Sequence, residues 1–398
     1  MSTKHEISYV KSVCARPAEA STKSVVGAVL LALIVCGVLV SLQPTPSAED
    51  LPSDATTVRK APTNSQGGQA NNTMTSASLG YAAERQTDAT KRAVKAIVDL
   101  SGKTKDLEGL GFASMGEARK LAGIGPPSVP EILERVRDKT VDEKARVLLM
   151  ELATSIDGSQ CGKTLLDILQ DETEPSAVRA QAADRLHLAG DSTAPGVLLR
   201  LLRAEKDRNV WFSVVRGFTH IRAADSVPVL LDALGQGDYL DKICVCRALG
   251  NQRDERALPH LARVAKSPVS RQQPPTMDGV KEVAISMQAA IALGTIRSQK
   301  AVPDLVEILE SHSHPNEVRC MAAQSLGALG GDAAYKALVD TLQNDKSETV
   351  VVFAVKALRE IGRPEAAVFC RRAIARSEDD YVKRVLRETA DALEGGVK

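Results

Sequence analysis

The sequence predicts an all-α protein, an α-solenoid in which helical hairpins stack in single file. Three observations lead there. A nine-residue amphipathic stretch, "AVPDLVEIL" from Ala301 to Leu309, recurs along the chain at a nearly constant step. A second amphipathic stretch precedes its copies. Hydrophobic residues make up 43% of the chain but aromatics only 3%, which suits helices packed through Ala, Leu and Val.

The recurring stretch reads as a helix because Val302, Leu305, Val306 and Leu309 fall at i, i+3, i+4 and i+7, one helical face. Pro303 stands in the first turn, where a missing N–H costs nothing. Alone in water so short a helix would be marginal, so it must pack on others. Its relatives are "SVPEILERV", "CGKTLLDIL", "TAPGVLLRLL", "SVPVLLDAL", "ALPHLARVA", "AYKALVDTL" and "AAVFCRRAI". Their markers Pro130, Lys163, Pro195, Pro228, Pro259, Pro303, Lys336 and Val368 are separated by 33, 32, 33, 31, 44, 33 and 32 residues. Each copy repeats the stripe, as in Val129/Ile132/Leu133/Val136, Val227/Leu230/Leu231/Leu234 and Tyr335/Leu338/Val339/Leu342. The last copy weakens, because Arg371 takes an apolar position.

The second helix appears in "VRAQAADRLHLAG", "VRCMAAQSLGALG" and "VVFAVKALREIG", with a core face such as Val318, Met321, Ala322, Leu326 and Leu329. Gly190, Gly250, Gly294, Gly330 and Gly362 are placed to end these helices. Asp191 and Asp332 are placed to cap the next ones. A period of roughly 20–50 residues with two amphipathic helices per unit defines an α-solenoid.

"VRCMAAQSLGALG…AAYKALVDTL" and "MQAAIALG…KAVPDLVEIL" resemble the HEAT-like repeat family, in the short bacterial form also seen in bilin lyases. The resemblance runs from about Val129 to the C-terminus. It implies an armadillo-like superhelix of about seven to eight hairpins over residues 129–398. It also implies a partner protein bound along the concave face.

Ahead of the repeats, the expected order is a short tail (1–23), a transmembrane anchor (24–42), a disordered linker (43–80) and a helical N-terminal cap (81–128). "SVVGAVLLALIVCGVLVSL", Ser24 to Leu42, holds no charge. From Val25 onward it spans roughly 27 Å, near the ~30 Å hydrocarbon core. It exceeds a signal-peptide core, and no A-x-A site follows. Bulky Val35 before Cys36 argues against a lipoprotein signal. Lys4, Lys11, Arg16 and Lys23 precede the span and Glu49, Asp50 and Asp54 follow it. The positive flank puts the N-terminus in the cytoplasm and the repeats across the membrane, in the periplasm. The linker is rich in Pro, Ser, Thr, Asn and Gly, with little to bury. The cap centres on a helix with Ala93, Ala96, Ile97 and Leu100 on one face.

Chemistry-bearing residues are few. The net charge of +1 gives no basic field to attract nucleic acid. Gly123-Ile124-Gly125 resembles the turn of a helix-hairpin-helix DNA motif, but Pro126 and Pro127 remove backbone donors next to it. His187 and His220 share a repeat position and could stack on adjacent units. His312 and His314 fall in the loop "SHSHP". A metal site needs three or four ligands with supporting contacts, and no such set converges in the sequence. Cys246 and Cys370 occupy core positions, and Cys244, two residues from Cys246, faces away from it. Basic blocks (Arg200, Arg203, Lys206; Arg263, Lys266; Arg371, Arg372, Arg376) alternate with Glu307, Glu310 and Asp340. The 44-residue step places an insertion at Ser267 to Gly279, a loop on one face.

The sequence assigns no catalytic, cofactor-binding or metal-ligating residue and requires no cofactor. The reading that follows is a membrane-anchored scaffold for protein–protein interaction. The alternatives are an enzyme of the bilin lyase type and a nucleic-acid-binding HEAT-like protein. HEAT-type hydroxylases use His-Glu dyads on helices, and the "HE" of this chain is His5-Glu6, before the anchor.

Overall fold

The computed structural model describes residues 76–269 and 277–395. Contacts divide the chain into two compact units, residues 1–76 with 270–280 and residues 77–269 with 281–398. The helices below belong to the second unit, save Ser76 of α1 and the first four residues of α12. The tail, the expected span at 24–42, nearly all of the linker and most of the 267–279 insertion lie outside the described residues. Among the described residues there is no strand, and no helix is long and apolar enough to cross a membrane.

α1 (Ser76–Ser101) and α2 (Leu107–Ile124) come first. Two series then alternate. The proline-marked stretches form α3 (Val129–Arg137), α5 (Gly162–Gln170), α7 (Ala194–Ala204), α9 (Val227–Gln236), α11 (Leu258–Ala265), α13 (Val302–Glu310), α15 (Asp332–Asn344) and α17 (Ala366–Ile374). The second stretches form α4 (Glu143–Asp157), α6 (Ser176–Arg185), α8 (Arg208–Gly217), α10 (Tyr239–Gln252), α12 (Met277–Thr295), α14 (Asn316–Leu329), α16 (Glu348–Ile361) and α18 (Asp380–Gly395).

Odd helices pack on the even helix after them, as α3 on α4 and α13 on α14, and even helices on the next even one, as α4 on α6, α6 on α8 and α14 on α16. This is the single-file stacking of an α-solenoid. One apolar core runs through it, from Ala93 to Leu393. α1 and α2 share that core through Ala93, Val94, Ile97, Leu110 and Leu121. Lys144 of α4 donates to the carbonyls of Ser101 (3.2 Å) and Thr104 (2.9 Å), tying down the end of α1.

Three details depart from the sequence reading. The tight hairpins pair an odd helix with the even helix following it, not the one preceding. The even-to-odd connections at Pro126–Ser128, Ala224–Ser226, Glu255–Ala257 and Gln299–Ala301 pass through a 3-10 turn that redirects the chain. The odd-helix stripe is also rotated. Ile308 is buried with Val302, Leu305 and Leu309, whereas Val306 is half-buried. Arg371, at the position of Val306, therefore costs the core little and instead reaches Asp391 (2.5 Å) and Glu394 (2.8 Å) of α18.

The third departure concerns the expected caps. Gly330 and Gly362 end their helices with left-handed backbone, φ +64° and +74°. Gly250 and Gly294 sit inside longer helices instead. A Cβ on Gly294 would fall 2.6 Å from Ser325 Cβ of α14, so hydrogen is what lets α12 and α14 touch there. Gly327 plays the same part between α14 and α16, with Ala357 Cβ 2.7 Å away. Asp332 is the first residue of α15 rather than its cap, and it pairs with Arg363 at 2.6 Å. Asp191 folds onto Thr193, accepting from its N–H (2.8 Å) and hydroxyl (2.7 Å), in the turn before α7.

Buried ion pairs join the hairpins. Arg146 of α4 donates through Nε to the Val136 carbonyl at the end of α3 (2.7 Å). Its two terminal nitrogens grip Glu174, in the loop after α5, at 2.7 and 2.8 Å. Arg179 bonds the Leu169 carbonyl (3.1 Å) and Glu205 (2.5 Å) in the same way. Arg319 bonds the Leu309 carbonyl (2.8 Å) and Asp345. Each arginine staples its own hairpin and hooks the loop of the next. In α8 the equivalent residue is Trp211, whose Nε1 donates to the Leu202 carbonyl at 3.2 Å.

Candidate functional site

The even helices α6, α8 and α10 bring together a polar cluster on adjoining hairpins. His187, just past α6, and His220, just past α8, stack with ring centroids 4.2 Å apart and planes 17° from parallel, as their shared register predicts. His187 Nδ1 lies 2.8 Å from the Asp184 carbonyl. That bond requires the proton on Nδ1 and leaves Nε2 as the acceptor of the neutral ring. Burial lowers the pKa of His187. His220 stays open to solvent on one side, and its partial burial, then the charges of His187, Arg247 and Arg216, bring it down to about 4. The pair is therefore neutral at physiological pH, which suits stacking.

Asp184 closes the cluster. Its Oδ2 accepts from Arg216 at 2.7 Å, while its Oδ1 is buried without a hydrogen-bond partner. Burial pushes its pKa up to about 6, against the opposing charges of Arg216 and Arg185. Cys244 lies within the same field, its thiol raised to about 11 by burial. A neutral imidazole pair, a carboxyl with a raised pKa and an inert thiol can hold or exchange a proton. They do not make an activated nucleophile.

A second feature is a cleft of about 550 Å³ beside Trp211, lined also by Leu202, Arg203, Val229, Asp232 and Ala233. Arg208 at its edge is held by Asp238 (2.5 Å) and Asp241 (2.9 Å).

A third lies where the even helices end. Arg253 and Arg297 have left-handed backbone, φ +53° and +59°, and are the only non-glycine residues with positive φ among those described. Arg222 stands beside them and donates through Nε to the Asn251 carbonyl at 3.0 Å.

The remaining sequence candidates fall elsewhere. His312 and His314 lie in the loop between α13 and α14, apart from the stacked pair. Among the described residues no group of His, Cys, Asp and Glu is arranged to hold a metal. Cys161, Cys244, Cys246, Cys320 and Cys370 are all buried and free. The Gly123–Gly125 turn simply ends α2, with Gly125 at φ +76° donating to the Leu121 carbonyl at 3.0 Å. The basic blocks are largely tied to neighbours, as Lys266 to Asp304 (2.7 Å) and Arg376 to the Gln343 carbonyl (2.8 Å). Sequence reasoning missed Asp184, the Trp211 cleft and the three arginines. A signal existed for the arginines, because the glycines expected at two helix ends lie three residues too early.

The fold places the protein among the α-solenoids. Residues 281–351 match the family model described as HEAT repeats. No curated protein matches it. Among solved structures it is similar to human deoxyhypusine hydroxylase in complex with glycerol, at 18% identity and TM-score 0.29, over 71% of this chain and 99% of that one. It is also similar to the complex of CpcE and CpcF of phycocyanin lyase from Nostoc sp. PCC7120, at 18% identity and TM-score 0.38, over 67% and 94%.

Proposed function

We propose that the chain is a membrane-tethered scaffold that binds a protein partner along the concave face of its helical stack. The observation that carries this reading is the row of even helices. Close contacts such as Gly294 on Ser325 and Gly327 on Ala357 set them at a fixed step, so polar groups at their ends recur at regular spacing. A surface of that kind suits an elongated partner. The uncharged run at 24–42 supports the tether, and its basic flank favours a periplasmic side for the repeats.

The experiment uses full-length protein in cells. A reporter that works only outside the cytoplasm, fused after Lys398, gives signal, and deleting residues 24–42 abolishes it. A photo-crosslinker at exposed His220 traps a discrete partner, whereas one at Val368, 52% exposed on α17, does not. Equal trapping at both positions, or at neither, counts against the scaffold.

A second reading, an enzyme of the bilin lyase type, has one observation in its favour: the cleft of about 550 Å³ beside Trp211. A visible absorbance band from a tetrapyrrole in the purified protein would favour it over the scaffold.

A further inference from the structure

We propose that Arg222, Arg253 and Arg297 form a docking ridge for an acidic segment of a partner protein, an extended chain presenting a carboxylate at about every third residue. The proposal rests on the scaffold reading for its partner being a protein.

The first ground is pairing. Several arginines elsewhere in the stack hold carboxylates: Arg146 holds Glu174, Arg179 Glu205, Arg216 Asp184, Arg319 Asp345 and Arg363 Asp332. Among the described residues, Arg253 and Arg297 pair with no carboxylate within 4.0 Å, and Arg222 spends only its Nε, on the Asn251 carbonyl. The three also feel one another. Partial burial, then the charges of Arg222 and Arg297, lower the pKa of Arg253. Glu360 is the acid whose field reaches Arg297, and it makes no ion pair with it.

The second ground is backbone. A left-handed residue ends a helix most cheaply when it is Gly or Asn. At Gly330 and Gly362 the chain uses glycine. At Arg253 and Arg297 it keeps an arginine in that conformation instead. Local strain of this kind concentrates at functional positions. Here it sets both guanidinium side chains on the turn leaving an even helix.

The third ground is spacing. Arg222 follows α8, Arg253 follows α10 and Arg297 follows α12, one arginine per hairpin. Packed helices stand roughly 8–10 Å apart. An extended peptide advances about 3.3 Å per residue, so every third side chain repeats at about 10 Å. One phosphate needs donors that converge, whereas a row of separate carboxylates needs donors in file. Nucleic acid would call for a broader basic surface than a chain of net charge +1 offers.

The test is fluorescence anisotropy on the full chain with a labelled peptide bearing Glu at every third position between Gly and Ser. The control peptide carries Gln in place of Glu. The double variant Arg253→Asn/Arg297→Asn removes both charges while keeping a side chain that accepts left-handed backbone. Arg372→Asn, at an exposed position on α17, removes a charge elsewhere. The Glu peptide binds, and the Gln peptide does not. The double variant weakens binding at least about fivefold at low salt, with the melting temperature unchanged or raised, and Arg372→Asn leaves binding intact. Equal binding by wild type and double variant overturns the proposal, as does no binding by either. So does preferential binding of inorganic polyphosphate or a single-stranded oligonucleotide. A chain that ignores the peptide yet still crosslinks its partner through position 220 has lost the ridge and kept the scaffold.

Discussion

The two ends of the even helices use arginine in opposite ways. At the entry end, Arg146, Arg179 and Arg319 are sealed in the core, each with a carboxylate and a backbone carbonyl to absorb its donors. At the exit end, Arg222, Arg253 and Arg297 are exposed and make no ion pair among the described residues. Burial makes the difference. A guanidinium withdrawn from water needs every donor satisfied, and the fold has met that need with an acid from the next hairpin. A guanidinium left in water needs no partner, so its position is free to serve a contact that stability does not require. The entry arginines set which hairpin follows which, and the exit arginines are available for recognition.

Substitutions at the two ends should differ in size and sign. The largest effect is at the entry. Arg146→Ala strands the buried carboxylate of Glu174 and lowers unfolding free energy by about 3–5 kcal/mol in urea denaturation. Arg146→Met/Glu174→Leu together regain most of that loss, because no unpaired charge remains. Next is the even-helix contact itself. Gly327→Ala puts a methyl against Ala357 and costs about 1–3 kcal/mol, read as a lower melting temperature.

The histidine cluster, which also lies at the exit end, responds to pH. Asp184 is raised to about 6 from 3.8, so it favours the fold when protonated and loses that contribution as pH climbs through 6. His220, depressed to about 4 from 6.5, works in the other direction, with stability present above pH 6.5 and lost as pH falls toward 4. The two oppose each other between pH 4 and 6.5. Asp184→Asn leaves the histidines alone, and the urea midpoint then drops more steeply on acidification than in wild type. His220→Gln leaves Asp184 alone, and the slope flattens or reverses. The smallest effect is at the exit. Arg253→Gly relieves a left-handed side chain and raises stability by up to about 1 kcal/mol in the same assay, opposite in sign to any entry substitution.

The hairpin stack was legible because its signal is local. Apolar residues three and four apart define a face whatever lies elsewhere, and the repeat step aligned His187 with His220 and put Cys246 in the core. The entry ion pairs were not legible. The "VR" dipeptides at Val178 and Val318 stand out in the sequence, but their acids lie 26 residues further on, in loops of differing composition. Neither partner marks the other without the fold. The exit arginines escaped notice because glycine is the expected terminator, and Gly250 and Gly294 drew attention to positions where the need is close approach, not a turn. The order of helices within a hairpin is not legible for a related reason. Periodicity fixes a repeat but not where it starts, whereas the reach of Arg146, Arg179 and Arg319 back to Val136, Leu169 and Leu309 shows which two helices are clasped.

The five cysteines described earlier have a practical use. None is more than 8% exposed, each thiol is pushed well above its ordinary value, and they are spread over α10, α14, α17 and the turn before α5. A small alkylating reagent reaches a given sulfur only when its own hairpin opens. The chain thus carries reporters of local opening at several points along its length. The order in which Cys161, Cys320 and Cys370 become labelled would trace where the stack begins to come apart.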